Sequence, residues 1–176
     1  MSQATNQLEW CMLKAKKEID ECLQQGKRVK HRGLLKINAN IDDAKKHLFK
    51  AEHNLLGITR FKEIGFSDWS MSAGFYCIYH CFLAIAAKFG YESKNQICTI
   101  ILMRHLKEQK KIILDDKFIN LLQYEELEEK KENSIISLRE DYTYGVQISI
   151  KDEAKINELK TICKELLDNT KEIIFK

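Results

Sequence analysis

Apolar side chains recur every three or four positions through most of this chain, and that interval is the period of an amphipathic α-helix. The pattern predicts helices over residues 3–25, 40–64, 93–107 and 115–145, most of them bounded by a capping residue or a glycine. A short extended link, VQISI, then precedes a last amphipathic helix over 152–173. Other strand signals are nearly absent, so the sequence predicts an all-α protein.

A third helix, predicted from Ser67 as N-cap to Gly90 just past its end, has a different pattern. From Ala73 to Ala87 only His80 is clearly polar. A helix that is apolar on every side is buried all round. It is short for a membrane span and interrupted by His80, so we expect the central helix of a bundle and no membrane. The fold class is therefore an up-and-down bundle of about five core helices plus an N-terminal helix.

Composition supports long helices and narrows the functional classes. The chain has 176 residues, no proline and seven glycines, and its formal net charge is only +3, which is low for a dedicated nucleic-acid binder. The charge run EELEEKKEN predicts a solvated helix face or a frayed bend. The first ten residues lack a signal-peptide pattern, so we expect a cytoplasmic protein whose six cysteines are reduced.

Cysteine and histidine side chains form one candidate chemical cluster. Cys77, His80 and Cys81 share a face of the third helix, and Cys98 and His105 lie on the next helix. They resemble a zinc ligand set, but no paired CxxC motif accompanies them and an apolar helix disfavours thiolates. We expect buried thiols, no metal and no cofactor. His80 is either a catalytic base or, by preference, a core histidine that is satisfied by one neighbour.

The segment SLREDYTYG carries the second candidate site. An arginine, an aspartate and two tyrosines near a helix end can bind a phosphate or a nucleotide, because arginine donates several hydrogen bonds and tyrosine stacks. The alternative is a helix-end salt bridge with surface tyrosines, and the residues alone leave the two interpretations equal. The candidate ligand-binding residues are Arg139, Asp141, Tyr142 and Tyr144.

A basic connector follows the first helix and is a third candidate. It can contact phosphates, although a solvated loop is the preferred interpretation and no aromatic residues are interleaved for stacking. Its candidate residues are Lys27, Arg28, Lys30, His31 and Arg32. Phosphate-binding glycine loops and the common hydrolase motifs are absent from the sequence.

Three segments together resemble the HEPN family, the helical "higher eukaryotes and prokaryotes nucleotide-binding" domains. They are KAEHNL at 50–55, the run FYCIYHCFLAIAAKFGYES at 75–93, and REDY at 139–142. The family's aromatic third helix and its arginine before an Asp-Tyr pair are matched by Tyr76, Tyr79, His80, Gly90, Arg139, Asp141 and Tyr142. The resemblance places a core at about 41–145 in a single domain over 1–176, with the N-terminal helix and basic loop at 1–40.

The resemblance implies a five-helix bundle that commonly forms homodimers. Many members are metal-independent ribonucleases that act as toxins beside a nucleotidyltransferase antitoxin, and they use an arginine followed closely by a histidine. Here no histidine follows Arg139 up to Gly145. We therefore expect a homodimer that binds a nucleotide, RNA or a nucleotidyltransferase partner without cleaving RNA. The alternatives are a ribonuclease toxin with an altered active site that uses Arg139 with His80 or a tyrosine, and a purely structural interaction protein.

Overall fold

The protein is described here by a computed structural model that covers residues 3–122 and 135–176. Within those residues it is a bundle of seven helices with one two-stranded sheet, which confirms the predicted all-α fold class. The elements in chain order are α1 (Gln3–Gln24), β1 (Leu34–Lys36), α2 (Ile41–Glu63), α3 (Trp69–Lys88), β2 (Tyr91–Ser93), α4 (Gln96–Glu108), α5 (Asp116–Asn120), α6 (Ile135–Tyr144) and α7 (Glu153–Phe175).

Helix α3 lies at the centre of the bundle, as its apolar pattern predicts. It packs against α2, α4, α6 and α7, and fourteen of its twenty residues are buried. Its length and composition alone would suit a membrane span, but 78% of its most apolar stretch is buried by the rest of the fold. At Gly74 a Cβ atom would overlap the side chain of Leu159, so α3 and α7 approach closely because this position is glycine.

Polar caps begin several helices at or near the predicted positions. The Asn40 side chain accepts hydrogen bonds from the backbone N–H groups of Asp42 and Asp43, and Asp152 caps α7 in the same way. Two predicted starts are wrong. Ser67 does not cap α3, because its hydroxyl accepts the Ile150 N–H instead, and α4 is capped by Asn95 and not by Ser93.

A short antiparallel sheet joins the end of the basic connector to the segment after α3. Leu34 pairs with Ser93 and Lys36 pairs with Tyr91. The sequence predicted a plain loop here, because three-residue strands are too short to show an alternating pattern. Gly90 makes the turn into β2 with a φ of 77°, which a glycine adopts without strain.

A disulfide between Cys11 of α1 and Cys98 of α4 contradicts the expectation that all six cysteines are reduced. The two residues lie on facing apolar sides of their helices, and their Cα atoms are 5.8 Å apart, which is within the usual range for a disulfide. The sequence could not predict this pair, because the cysteines are 87 positions apart. Cys22, Cys77, Cys81 and Cys163 are free and buried.

The predicted fifth helix corresponds to two described helices, α5 and α6. The Asp115 carboxylate caps α5 as expected, while the charge run at 125–133 lies outside the described residues. The last amphipathic helix, predicted over 152–173, is present as α7. Helix α7 packs against both α2 and α3 and buries seven of its own residues.

Candidate functional site

Arg139 of α6 packs against the central helix, α3. Its guanidinium carbon lies 4.4 Å from the ring centre of Phe75, a cation–π contact, and the side chain is only 20% exposed. Nη2 donates a 3.3 Å hydrogen bond to Glu140, while the buried Nε has no hydrogen-bond partner within the described residues. One turn further along α6, the Thr143 and Ser72 hydroxyls are hydrogen bonded at 2.9 Å. These contacts fix which face of α6 points outward.

The outward face of α6 and the chain that follows it line an open depression, called the α6 pocket. Its volume is about 700 Å³. Gly145 allows the tight exit from the helix, because a Cβ atom at that position would collide with the Asp141 carbonyl. Among the described residues, the polar and aromatic lining comes from Glu140, Asp141, Tyr142, Tyr144 and Gln147.

The α6 pocket thus brings together three of the four residues that the sequence singled out in SLREDYTYG. Asp141, Tyr142 and Tyr144 line it, whereas Arg139 lies against Phe75 and is not part of the lining. Tyr144 is 78% exposed, and Tyr142 packs partly against the core. Since the described lining contains two carboxylates and no lysine or arginine, the pocket suits amino groups better than phosphates.

A row of aromatic side chains runs along α3 from the Arg139 contact. The Phe75 ring meets Tyr76 edge-on at 5.2 Å and stacks on Tyr79 at 6.1 Å between ring centres. Burial raises the pKa of Tyr79, so its phenol stays protonated at neutral pH. Tyr76 is 46% exposed and is the part of this row that a ligand can reach most easily.

His80 contacts a second histidine, His47 of α2, that the sequence analysis did not single out. Their Nδ1 atoms are 3.0 Å apart and both side chains are partly buried. Burial, with contributions from His47 and Lys50, lowers the pKa of His80 to about 4, and burial also lowers the pKa of His47. Both rings are neutral at pH 7, so the Nδ1–H of one ring donates a hydrogen bond to the Nδ1 of the other. No local pattern marks this pair, because its members are 33 positions apart.

Arg139 and His80 do not come together within one chain. Arg139 lies on the ring of Phe75, and the five helical steps from Phe75 to His80 turn about 140° around α3 and advance about 7.5 Å along it. The arginine–histidine arrangement that the ribonuclease alternative requires is therefore not formed inside a single protomer.

The cysteine and histidine residues of the predicted zinc set are dispersed. Cys98 is bonded to Cys11, and His105 lies 3.4 Å from the Thr5 hydroxyl. Cys77 contacts Cys81 and Cys163 in the core. Burial raises the pKa of Cys81, and the contact with Cys77 together with burial raises that of Cys163, so these two thiols are neutral. Across residues 3–122 and 135–176, no group of three or more His, Cys, Asp or Glu residues can hold a metal ion.

The basic connector is anchored at both ends. The Lys27 N–H bonds the Cys22 carbonyl, and the Arg32 N–H bonds the Glu18 carboxylate. His31 is a predicted phosphate contact, but its side chain is buried and its Nε2 lies 3.4 Å from Glu92. The other four candidate residues, Lys27, Arg28, Lys30 and Arg32, are exposed.

Comparison with known proteins adds no relative. No protein-family model matches the chain, and no curated protein matches it. The fold defines the class of this protein as an all-α helical bundle. Because no relative was found, the resemblance to the HEPN family depends on the chain's own residues alone.

Proposed function

We propose that this chain is a HEPN-like bundle that binds the base of a nucleotide, free or within RNA, in the α6 pocket and does not cleave RNA. The observation that carries the proposal is the convergence of Asp141, Tyr142 and Tyr144 on one opening. These residues belong to the segment that resembles the family's arginine–Asp–Tyr pattern.

The chemistry of the lining favours a base over a phosphate. A nucleobase stacks on an exposed phenol such as that of Tyr144, and such stacking contributes about 1–3 kcal/mol. The Asp141 and Glu140 carboxylates accept hydrogen bonds from amino or imino groups, which bases carry and phosphates lack. Arg139 acts in this proposal by holding α6 on Phe75, so that the two tyrosines stay outward.

The expected absence of nuclease activity follows from the missing histidine. Cleavage through the ribose 2′-hydroxyl needs a group that takes and returns a proton close to the arginine. The residues after Arg139 supply carboxylates, tyrosines and a threonine but no imidazole, and His80 lies on another side of α3.

Titration of the full chain with the four nucleoside monophosphates and with short single-stranded RNA tests base binding. Among these ligands, we consider the one that the wild type binds most tightly. We expect Tyr144→Ala and Asp141→Asn each to weaken its binding at least fivefold. The matched controls are Phe49→Ala in α2 and Asp168→Asn in α7, which replace exposed residues distant in sequence from Asp141 and Tyr144. These two variants should bind the ligand as tightly as the wild type does. Equal binding by all variants, or none by the wild type, would refute the assignment. Capture of a nucleotidyltransferase without nucleotide binding would instead indicate a protein partner at this surface.

The homodimer is a separate part of the proposal. It is supported by the family resemblance and by large exposed apolar side chains such as Trp10, Leu13 and Trp69. Sedimentation at high concentration should give about twice the 20.7 kDa of one chain. A single species of monomer mass would contradict it.

The second candidate is a HEPN ribonuclease toxin of a toxin–antitoxin pair with an altered active site. One observation favours it, namely that the Nδ1 atoms of His47 and His80 lie 3.0 Å apart, so that one imidazole can pass a proton to the other. Purified protein should then cleave RNA, and His80→Gln should abolish cleavage while His53→Gln should not. Absence of cleavage at high protein concentration excludes this candidate.

A further inference from the structure

The two imidazoles on α2 and α3 face each other through the same ring atom. His47 and His80 approach to 3.0 Å between Nδ1 atoms, and the ring centres are 5.2 Å apart with an interplanar angle of 31°. Both belong to long, well-packed helices, since α2 and α3 form the largest helix–helix contact of the fold. The position of each nitrogen is therefore set by the bundle and not by a loop.

We propose that His47 and His80 bind a divalent transition-metal ion such as Zn²⁺ between their Nδ1 atoms. Two nitrogens at Zn–N distances of 2.0–2.1 Å in a tetrahedral site are separated by about 3.3 Å, so the observed pair needs only a small rotamer adjustment. Imidazole nitrogen is a preferred ligand of zinc, copper and nickel. This inference goes beyond the proposed function and does not depend on it.

Metal binding requires a change of tautomer in one ring. A histidine binds a metal ion through the lone pair of a neutral imidazole, whereas one Nδ1 of the free pair carries the proton of their hydrogen bond. That proton moves to Nε2 of the same ring when the metal binds, so both ligands are neutral imidazoles and no ring proton is released.

The charged neighbours predict a site of modest affinity. Asp43 lies one helical turn before His47 and bonds Lys46 at 2.8 Å and the Asn40 amide at 2.8 Å. Both of its carboxylate oxygens therefore already accept a hydrogen bond. Lys50, one turn after His47, is a cation near His80 and opposes a divalent ion. Because no third protein ligand joins the pair among the described residues, water completes the coordination.

Calorimetric titration of the full chain with Zn²⁺ alone tests the site. We expect one ion per chain, with affinity at least tenfold weaker in His47→Gln and in His80→Gln. His53→Gln is the matched control, because His53 is an exposed histidine of the same helix and should leave binding unchanged. Circular dichroism establishes that each variant is folded.

Two further readouts decide the outcome without relying on any one variant. Co²⁺ bound to the wild type should give visible ligand-field bands without the near-ultraviolet charge-transfer band of cobalt–thiolate bonds. Zn²⁺ affinity should fall as the pH is lowered, because protons compete for the same nitrogens. Failure of the wild type to bind one equivalent, a thiolate band, or equal binding by both histidine variants and the control would each overturn the proposal.

Discussion

The guanidinium of Arg139 rests on the ring of Phe75 at 4.4 Å, so an arginine that the sequence singles out as a candidate ligand-binding residue joins two helices. A partly desolvated cation–π contact contributes up to about 2 kcal/mol, and the apolar part of the side chain adds packing. Together with the hydrogen bond between Thr143 and Ser72, this contact holds α6, and with it the α6 pocket, against α3.

Replacement of Arg139 by alanine should therefore act mainly on stability. We expect Arg139→Ala to lower the free energy of unfolding by about 1–2 kcal/mol, measured by urea denaturation. The control Arg60→Ala removes an exposed arginine that pairs with Glu63 and should cost less than about 1 kcal/mol. Equal losses in the two variants would contradict a special role for the Phe75 contact.

Removal of the Cys11–Cys98 disulfide should destabilise the fold. The bond closes a long stretch of chain, and loss of such a native crosslink typically costs about 2–4 kcal/mol. We expect this loss in a Cys11→Ala, Cys98→Ala double variant, measured by denaturation under oxidising conditions. A reductant should lower the free energy of unfolding of the wild type and leave that of the double variant unchanged. A wild type insensitive to reductant would show that the bond contributes nothing.

Stability should fall on acidification because of His80. Burial first, then His47 and Lys50, lower its pKa to about 4 in the folded chain, against an ordinary value of about 6.5. Between about pH 6.5 and pH 4 the unfolded chain binds a proton that the folded chain does not. The free energy of unfolding therefore decreases as the pH falls through that window.

Denaturation at several pH values, with a chelator present, measures this dependence. His80→Gln should flatten the slope between about pH 6.5 and pH 4, and His53→Gln should keep the wild-type slope. Parallel curves for wild type and His80→Gln would rule out His80 as the cause.

Two glycines should respond in opposite ways to the same substitution. Gly74→Ala drives a Cβ into Leu159 and should cost about 1–3 kcal/mol, with part of the loss recovered by Leu159→Ala in the same chain. At Gly57 of α2 a Cβ would lie 3.6 Å from Ala73, an ordinary contact, so Gly57→Ala should stabilise by about 0.5–1 kcal/mol. Thermal unfolding of both variants provides the comparison, and similar shifts in both would be inconsistent with close α3–α7 packing.

Local pattern was sufficient to predict the helices and the central position of α3, because period and capping are properties of neighbouring residues. It was also sufficient to single out Asp141, Tyr142 and Tyr144, which lie within one helical turn of each other. It could not predict the pairs His47–His80, Cys11–Cys98 and Leu34–Ser93. Each of these joins residues more than thirty positions apart, and their proximity depends on how the helices pack.

The crosslink from Cys11 to Cys98 makes α2 and α3 part of a covalently closed ring of polypeptide. In a compartment that keeps thiols reduced the ring is open, and α1 is held to α4 by noncovalent contacts. The oxidation state of this one bond, determined in protein taken from its native source, is therefore a direct record of the compartment in which the chain folded.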